Sequence, residues 1–304
     1  MEFEKQKIWG NLIAADLFFS GIGGGCFFLS FLLEIQNKYG PISNLGEILT
    51  PIFISIALLC LLFHLRIPIR FYRVFLNPSS WMTRGSVILS IFFISSLLYS
   101  LPSFETFNWL PWSKASSLGR VILIIAIAFS LLNMIYPAVL LSVPKHIQSW
   151  EISILLPLFL FLSLYTGLAV LLLITISYVR ILGDQTITIL HMLGKIGIML
   201  IIIEIFTLYI FTKTMLNGNQ PAKESIFLLI KGELMPLFIG GVVIIGLIVP
   251  FFMFISSIFI VSMPPLLILA GVSGLLILMG GFLLRYVIVK AGVYSPIYIE
   301  RSII

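Results

Sequence analysis

Apolar runs long enough to cross a bilayer recur from one end of this sequence to the other. They cover about 9–34, 48–65, 85–102, 118–143, 151–178, 188–212, 234–258 and 261–290. A spanning helix needs roughly 20 mostly apolar residues, and eight segments meet or approach that length. The breaks between them carry turn chemistry: Asn37-Lys-Tyr-Gly-Pro41, Asn77-Pro-Ser-Ser-Trp81 and Asn217-Gly-Asn-Gln-Pro221. Pro264-Pro265 restricts the start of the last run, and Lys231, Glu233 and Pro236 crowd the start of the seventh. No polar interruption exceeds about 20 residues, too few to bury a core of its own. The pattern predicts an all-α, polytopic transmembrane bundle of eight membrane-spanning helices, a single integral membrane domain over residues 1–304. Residues 1–150 make a first four-helix half and 151–304 a second, with no strong internal repeat relating them. The opening Met1-Glu-Phe-Glu-Lys-Gln-Lys has mixed charge, and no small-residue cleavage site follows the first run. It reads as a retained helix and not as a signal peptide.

Composition sharpens the picture. The chain is 60% hydrophobic and 10% charged, with a mean hydropathy of +1.16, against about 25% charged in soluble domains. The net charge of +6 sits mainly in loops, where it reports cytoplasmic Lys and Arg beside anionic headgroups and not nucleic acid. Eight spans put both termini on one side, here face A. Thirteen of the 18 Lys and Arg fall near that face, and five (Lys38, Lys114, Arg120, Arg180 and Lys195) near the other, face B. The positive-inside rule then places face A and both termini in the cytoplasm. Cys26 and Cys60 give no CxxC pair, disulfide framework or iron–sulfur ligand set. None of His64, His146 and His191 faces another deep in a span, so haem has no ligand pair. No zinc spacing, Walker loop, dinucleotide fingerprint or nucleophile elbow is present.

The chemistry lies in a few polar residues inside the runs. Asp16 falls roughly 10 Å in from the Trp9 end of the first, where a carboxylate costs on the order of 2.5–3.5 kcal/mol. It should therefore face the bundle interior. Gly21 and Gly24 strip side chains from the same helix, letting another helix or a flat ligand approach the backbone. Tyr136 comes out ~9 Å from face A and Glu204 ~13 Å from it. Arg285 and Glu233 belong to the same half, so five helices are predicted to gather Asp16, Tyr136, Glu204, Glu233 and Arg285. Against this stands the reading that Glu233 and Arg285 are interfacial side chains that snorkel. Face B offers Arg180, Asp184, His191 and Lys195. His191 and Lys195, at i,i+4 spacing, share a helix face, either as the outer mouth of a proton path or as a solvated helix start.

Four stretches resemble the polysulfide reductase membrane-subunit family, the NrfD-type quinone-linked anchors. The first is Asp16-Leu-Phe-Phe-Ser-Gly-Ile-Gly-Gly-Gly25, similar to that family's Gly-rich first helix. The second runs from His64 through Arg66, Arg70 and Arg73 to Trp81, Arg84 and Gly85, like the family's basic loop leading into Ser-Trp. The third is Tyr136-Pro-Ala-Val-Leu-Leu with Trp150 and Tyr165-Thr-Gly167; the last is Gly280-Gly-Phe-Leu-Leu-Arg285-Tyr-Val-Ile-Val-Lys-Ala-Gly292. The resemblance covers nearly the whole chain.

It implies a prokaryotic plasma-membrane protein that exchanges electrons with a quinone, of menaquinone or ubiquinone type, bound as substrate. The partners it implies are an iron–sulfur electron-transfer subunit and a molybdopterin catalytic subunit beyond it, with a dimer of such complexes as a further option. In the family, a polar group on the first helix and a tyrosine on the fourth hold the headgroup. Asp16 stands where a relative has histidine, Tyr136 matches the tyrosine, and Ile13 replaces an asparagine. The expected site is Asp16 and Tyr136 with Gly21 and Gly24. Glu204, Glu233, Arg285, His191 and Lys195 form a candidate proton path, and Arg66, Arg70, Arg73 and Arg84 a candidate docking surface. The protein itself carries no haem, metal or cluster ligands and is not expected to be catalytic alone. The rival class is a proton- or ion-translocating transporter without redox chemistry. Relatives with an exported catalytic partner hold this site near the extracytoplasmic face, in conflict with the charge count.

Overall fold

A computed structural model describes residues 4–6, 9–35, 40–64, 72, 80–144 and 147–294. The helices are α1 (Asn11–Ile35), α2 (Gly40–His64), α3 (Trp81–Ser100, extended by a 3-10 turn at Leu101–Ser103) and α4 (Ser117–Leu141). After them come α5 (Ile152–Ser177), the single turn α6 (Val179–Leu182), α7 (Gln185–Asn217) and α8 (Gln220–Ile230). A π-helical stretch, Pro236–Ile248, continues into α9 (Val249–Ile258), and α10 (Met263–Lys290) closes the bundle. Eight of these helices are long and apolar enough to span a membrane, in the order the apolar runs predict.

Helices α2 and α7 outrun their apolar runs, and the connection after α7 is itself helical, each for a local reason. Helix α2 begins at Gly40, because Pro41 lacks an N–H where a first turn needs none. Its Gly-Pro pair opens a helix instead of closing a turn. Helix α7 runs for 33 residues, about 50 Å at the helical rise, and so outlasts the hydrocarbon layer. The connection after it holds amphipathic α8, whose Ala222, Ser225, Ile226 and Leu229 are buried at three- and four-residue spacing. Ser116 caps α4 by accepting from the Gly119 amide at 3.0 Å.

Helices α1 and α5 are the most enclosed spans, and they meet backbone to backbone. A side chain on Gly25 would strike the Ser163 carbonyl, and one on Gly167 would strike the backbone of Gly25 and Cys26. Small residues permit such an approach where lipid supplies no hydrophobic drive between helices. Around that seam, α1–α4 pack as one group and α5, α7, the π-helical stretch with α9, and α10 as another. Gly246 and Gly280 make a similar close contact in the second group. Pro250 cannot return an N–H to the Gly246 carbonyl, and the Tyr165 hydroxyl donates there at 3.1 Å.

The first and last described segments lie together. The Gln6 amide donates to the Gly292 carbonyl at 2.9 Å and the Tyr294 amide to that of Glu4 at 3.0 Å. Gln6 Nε2 also donates to the carbonyls of Trp9 and Val289. The Trp150 indole donates to Ile288 and packs 5.2 Å from the Trp9 ring. This aromatic and amide tie defines face A.

Candidate functional site

Asp16 and Tyr136 are buried, at 1% and 3% exposure, and lie close enough to act on each other electrostatically. Asp16 Oδ1 and the Tyr136 hydroxyl are both buried without a hydrogen-bond partner. Leaving such a group unpaired costs about 1–3 kcal/mol, and here two lie within electrostatic range of each other. Each neighbouring helix adds a piece. From α2, half-buried Cys60 comes within electrostatic range of Asp16. From α3, Gly85 presents bare backbone against the Tyr136 ring, whose Cζ, Cε2 and hydroxyl occupy the space a Cβ would need. From α4, Asn133 donates to the Ser20 carbonyl at 2.7 Å, tying α4 to α1 one turn deeper. Pro137 cannot bond the Asn133 carbonyl, which loosens the α4 backbone beside Tyr136.

A cavity of about 630 Å³ opens at face A, lined by Trp81, Val139, Ser142, Ile147, Trp150 and Glu151. Val139 lies one turn from Tyr136 on α4 and Trp81 one turn from Gly85 on α3. The cavity thus sits on the face A side of the Tyr136 ring and has the size of a small-molecule site.

The other predicted residues divide. Glu204 and Arg285 are fully buried and electrostatically linked. Arg285 donates to the Gly281 carbonyl at 3.1 Å and to Ser163 Oγ at 3.2 Å, and its guanidinium lies 5.8 Å over the Phe18 ring. Both Glu204 oxygens and Arg285 Nε lack partners, so the two charges approach without closing a direct bridge. Glu233 does not join them. It is exposed and pairs with Lys5 at 2.9 Å, because the segment before Pro236 lies outside the bundle.

At face B, half-buried His191 meets the Ile260 carbonyl at 3.1 Å and Lys195 is exposed. Neither glycine face stands open. Arg285 fills the space beside Gly21, and Met134 with Asn133 that beside Gly24. Arg84 is exposed, stacked 4.7 Å over Trp81; Arg66, Arg70 and Arg73 lie outside the described residues. No group of three metal-binding side chains occurs among the described residues. Sequence reasoning missed Cys60, Gly85 and Asn133. Asn133 left a signal in its three-residue spacing from Tyr136 on one helix face, and Gly85 in closing the second of the family-like stretches.

Fold and site together define a multi-pass helical membrane protein with a buried acid–phenol pair near one end of its first four helices. The model of the family described as polysulphide reductase, NrfD, matches residues 2–296, and the protein belongs to that family. It is similar to the C subunit of polysulfide reductase from Wolinella succinogenes, 27% identical over 293 residues, with 88% of this sequence and 92% of that one covered.

Proposed function

We propose that this protein is the membrane subunit of a multi-subunit reductase complex of polysulfide or sulfur reductase type and that it reacts with quinone at Asp16 and Tyr136. The observation that carries this reading is the pair of buried, unpartnered oxygens on those two residues, which lie within electrostatic range of each other. A ring oxygen of a lipid-soluble quinone entering from the face A cavity would satisfy both. Quinol oxidation releases two protons and two electrons. Asp16 accepts or returns a proton at its carboxyl oxygen, while Tyr136 donates a hydrogen bond that holds the ring in register. Such proton transfer requires an approach of about 2.6–3.2 Å. The electrons pass to a partner subunit docked at face A, for which an iron–sulfur protein is the fitting class, with a molybdopterin subunit beyond it.

Asp16→Asn retains shape and a hydrogen bond but removes the exchangeable acid. The purified complex should assemble, with quinone-linked turnover reduced about 10-fold or more. Wild-type turnover in an intact Asp16→Asn complex would remove Asp16 from the reaction. A second reading, proton or ion translocation without redox chemistry, draws on the buried Glu204 and Arg285, whose charges meet without a direct bridge. Copurification separates the two: a bound quinone and an iron–sulfur partner favour the first, a lone active oligomer the second.

A further inference from the structure

A second buried acid lies at the opposite end of the same four helices. Glu47 on α2 is fully buried, and its Oε1 has no hydrogen-bond partner. Its Oε2 takes a close bond from Lys114 Nζ, which also donates to Asn44 Oδ1 at 2.7 Å. The Tyr99 hydroxyl from α3 donates to both Glu34 oxygens, at 3.1 and 2.9 Å, and Lys114 lies 5.0 Å over the Tyr99 ring. Glu34, from α1, interacts directly with Glu47. Toward the bundle interior, Cys26 and Thr50 both bond the Gly46 carbonyl. Ser30 Oγ, buried and unpartnered, lies against Gly46, one residue from Glu47. From α5, the apolar Leu171 comes near Gly46. Toward solvent, a cavity of about 430 Å³ lined by Asn44, Ser103 and Tyr178 opens at face B.

Helix α1 runs from this cluster to the Asp16 site. At about 100° per residue, Asp16, Ser20, Ser30 and Glu34 fall within roughly 40° of one line along the helix. From Asp16 to Glu34 the rise is about 27 Å, close to the whole hydrocarbon thickness of roughly 30 Å. On the same line, Phe27 packs against Phe92 at 5.7 Å between ring centroids, with Ile54 and Leu89 beside it. One dry layer therefore separates two polar ends, each built from all of α1, α2 and α3.

We propose that Glu47 is a proton-exchanging carboxyl serving face B, with Glu34 sharing its proton and Lys114 as its counter-charge. The first four helices thereby carry protons between the Asp16 site and the face opposite the termini. An O–H bond forms at Glu47 as one breaks on water in the face B cavity, or the reverse, and Lys114 is released from Glu47 when the acid is neutral. The Phe27 layer keeps the two ends from equilibrating freely. The link to Asp16 rests on the quinone reading above; the chemistry at Glu47 has its own readouts.

The test uses the intact complex in vesicles containing a trapped pH-sensitive dye, with quinone turnover and proton movement recorded together. In Glu47→Gln, protons moved per quinone turned over should fall about tenfold or more, with passive leak unchanged. In the same variant, the infrared carboxyl band that responds to quinone reduction should disappear. An unchanged ratio, or a band unaffected by the substitution, overturns the proposal. If Glu47→Gln fails to fold, Glu47→Gln with Lys114→Met removes the buried acid together with its half-buried counter-charge, and the same two losses are expected. Asp16→Asn separates the readings. Full turnover in that variant defeats the quinone site itself, whereas lost turnover alongside a wild-type proton ratio in Glu47→Gln defeats only the face B route.

Discussion

In the proposed site Tyr136 contributes one hydroxyl, and its ring rests against the bare backbone of Gly85 on the facing helix. A net hydrogen bond contributes about 0.5–1.5 kcal/mol, so Tyr136→Phe should weaken quinone binding several-fold and leave the melting temperature nearly unchanged. Titration of the purified complex with quinone, read by quenching of tryptophan fluorescence, measures this. Gly85→Ala is expected to cost at least as much affinity, because the new Cβ takes the volume of the Tyr136 ring and hydroxyl. An alanine variant that binds as tightly as the native protein would show that the phenol is not positioned from α3. The Lys5–Glu233 pair marks the contrast. It is exposed on both sides, and such pairs contribute about 0–1 kcal/mol.

Among elements, the seam between α1 and α5 holds the two helix groups together. Gly25 and Gly167 let the backbones touch, and Arg285 of α10 lies against Gly21 on the same helix. Overpacking at such a contact costs about 1–3 kcal/mol and sometimes more. Gly25→Val should lower the thermal midpoint of the detergent-solubilised protein by several degrees, while the same change at Gly10, beside which nothing lies within 4 Å, should not. Equal midpoints for the two variants would mean that α1 and α5 are not held by backbone approach. Prolines act at this scale too. Pro137 and Pro51 sit inside α4 and α2, each four residues after a site residue, Asn133 and Glu47. Each leaves that residue's carbonyl without its helical partner.

For the whole molecule, loop charge predicts which face meets the cytoplasm. The segments around Gln6 and Gly292 pair at face A, so one measurement orients both. The excess of Lys and Arg near that face predicts that it lies inside, and the proposed quinone site and its partner subunit would then lie on the same side. A cysteine introduced at Asn219, beyond the face A end of α7, should be protected from an impermeant maleimide in intact cells. One at Asn108, beyond the face B end of α3, should be labelled. The opposite pattern would show that relatives with exported partners are the better guide and that basic residues gather at face A for docking.

Eight spans, their order and the shared side of the termini were legible in the sequence, because a bilayer imposes a length and a polarity that no spanning segment can evade. Asp16 announced itself in the same way, as a charge within an apolar run. Glu47 did not, since Gly-Pro and its polar neighbours have the composition of a turn, whereas in the fold Pro41 sits in the first turn of α2. What each polar group meets was decided only in three dimensions. Glu233 left the site for Lys5, Arg285 took the bare face of Gly21, and Gly85 came to rest on Tyr136. Depth along a helix follows from counting residues at a fixed rise, but the partner across an interface depends on rotation, tilt and packing against helices far away in sequence.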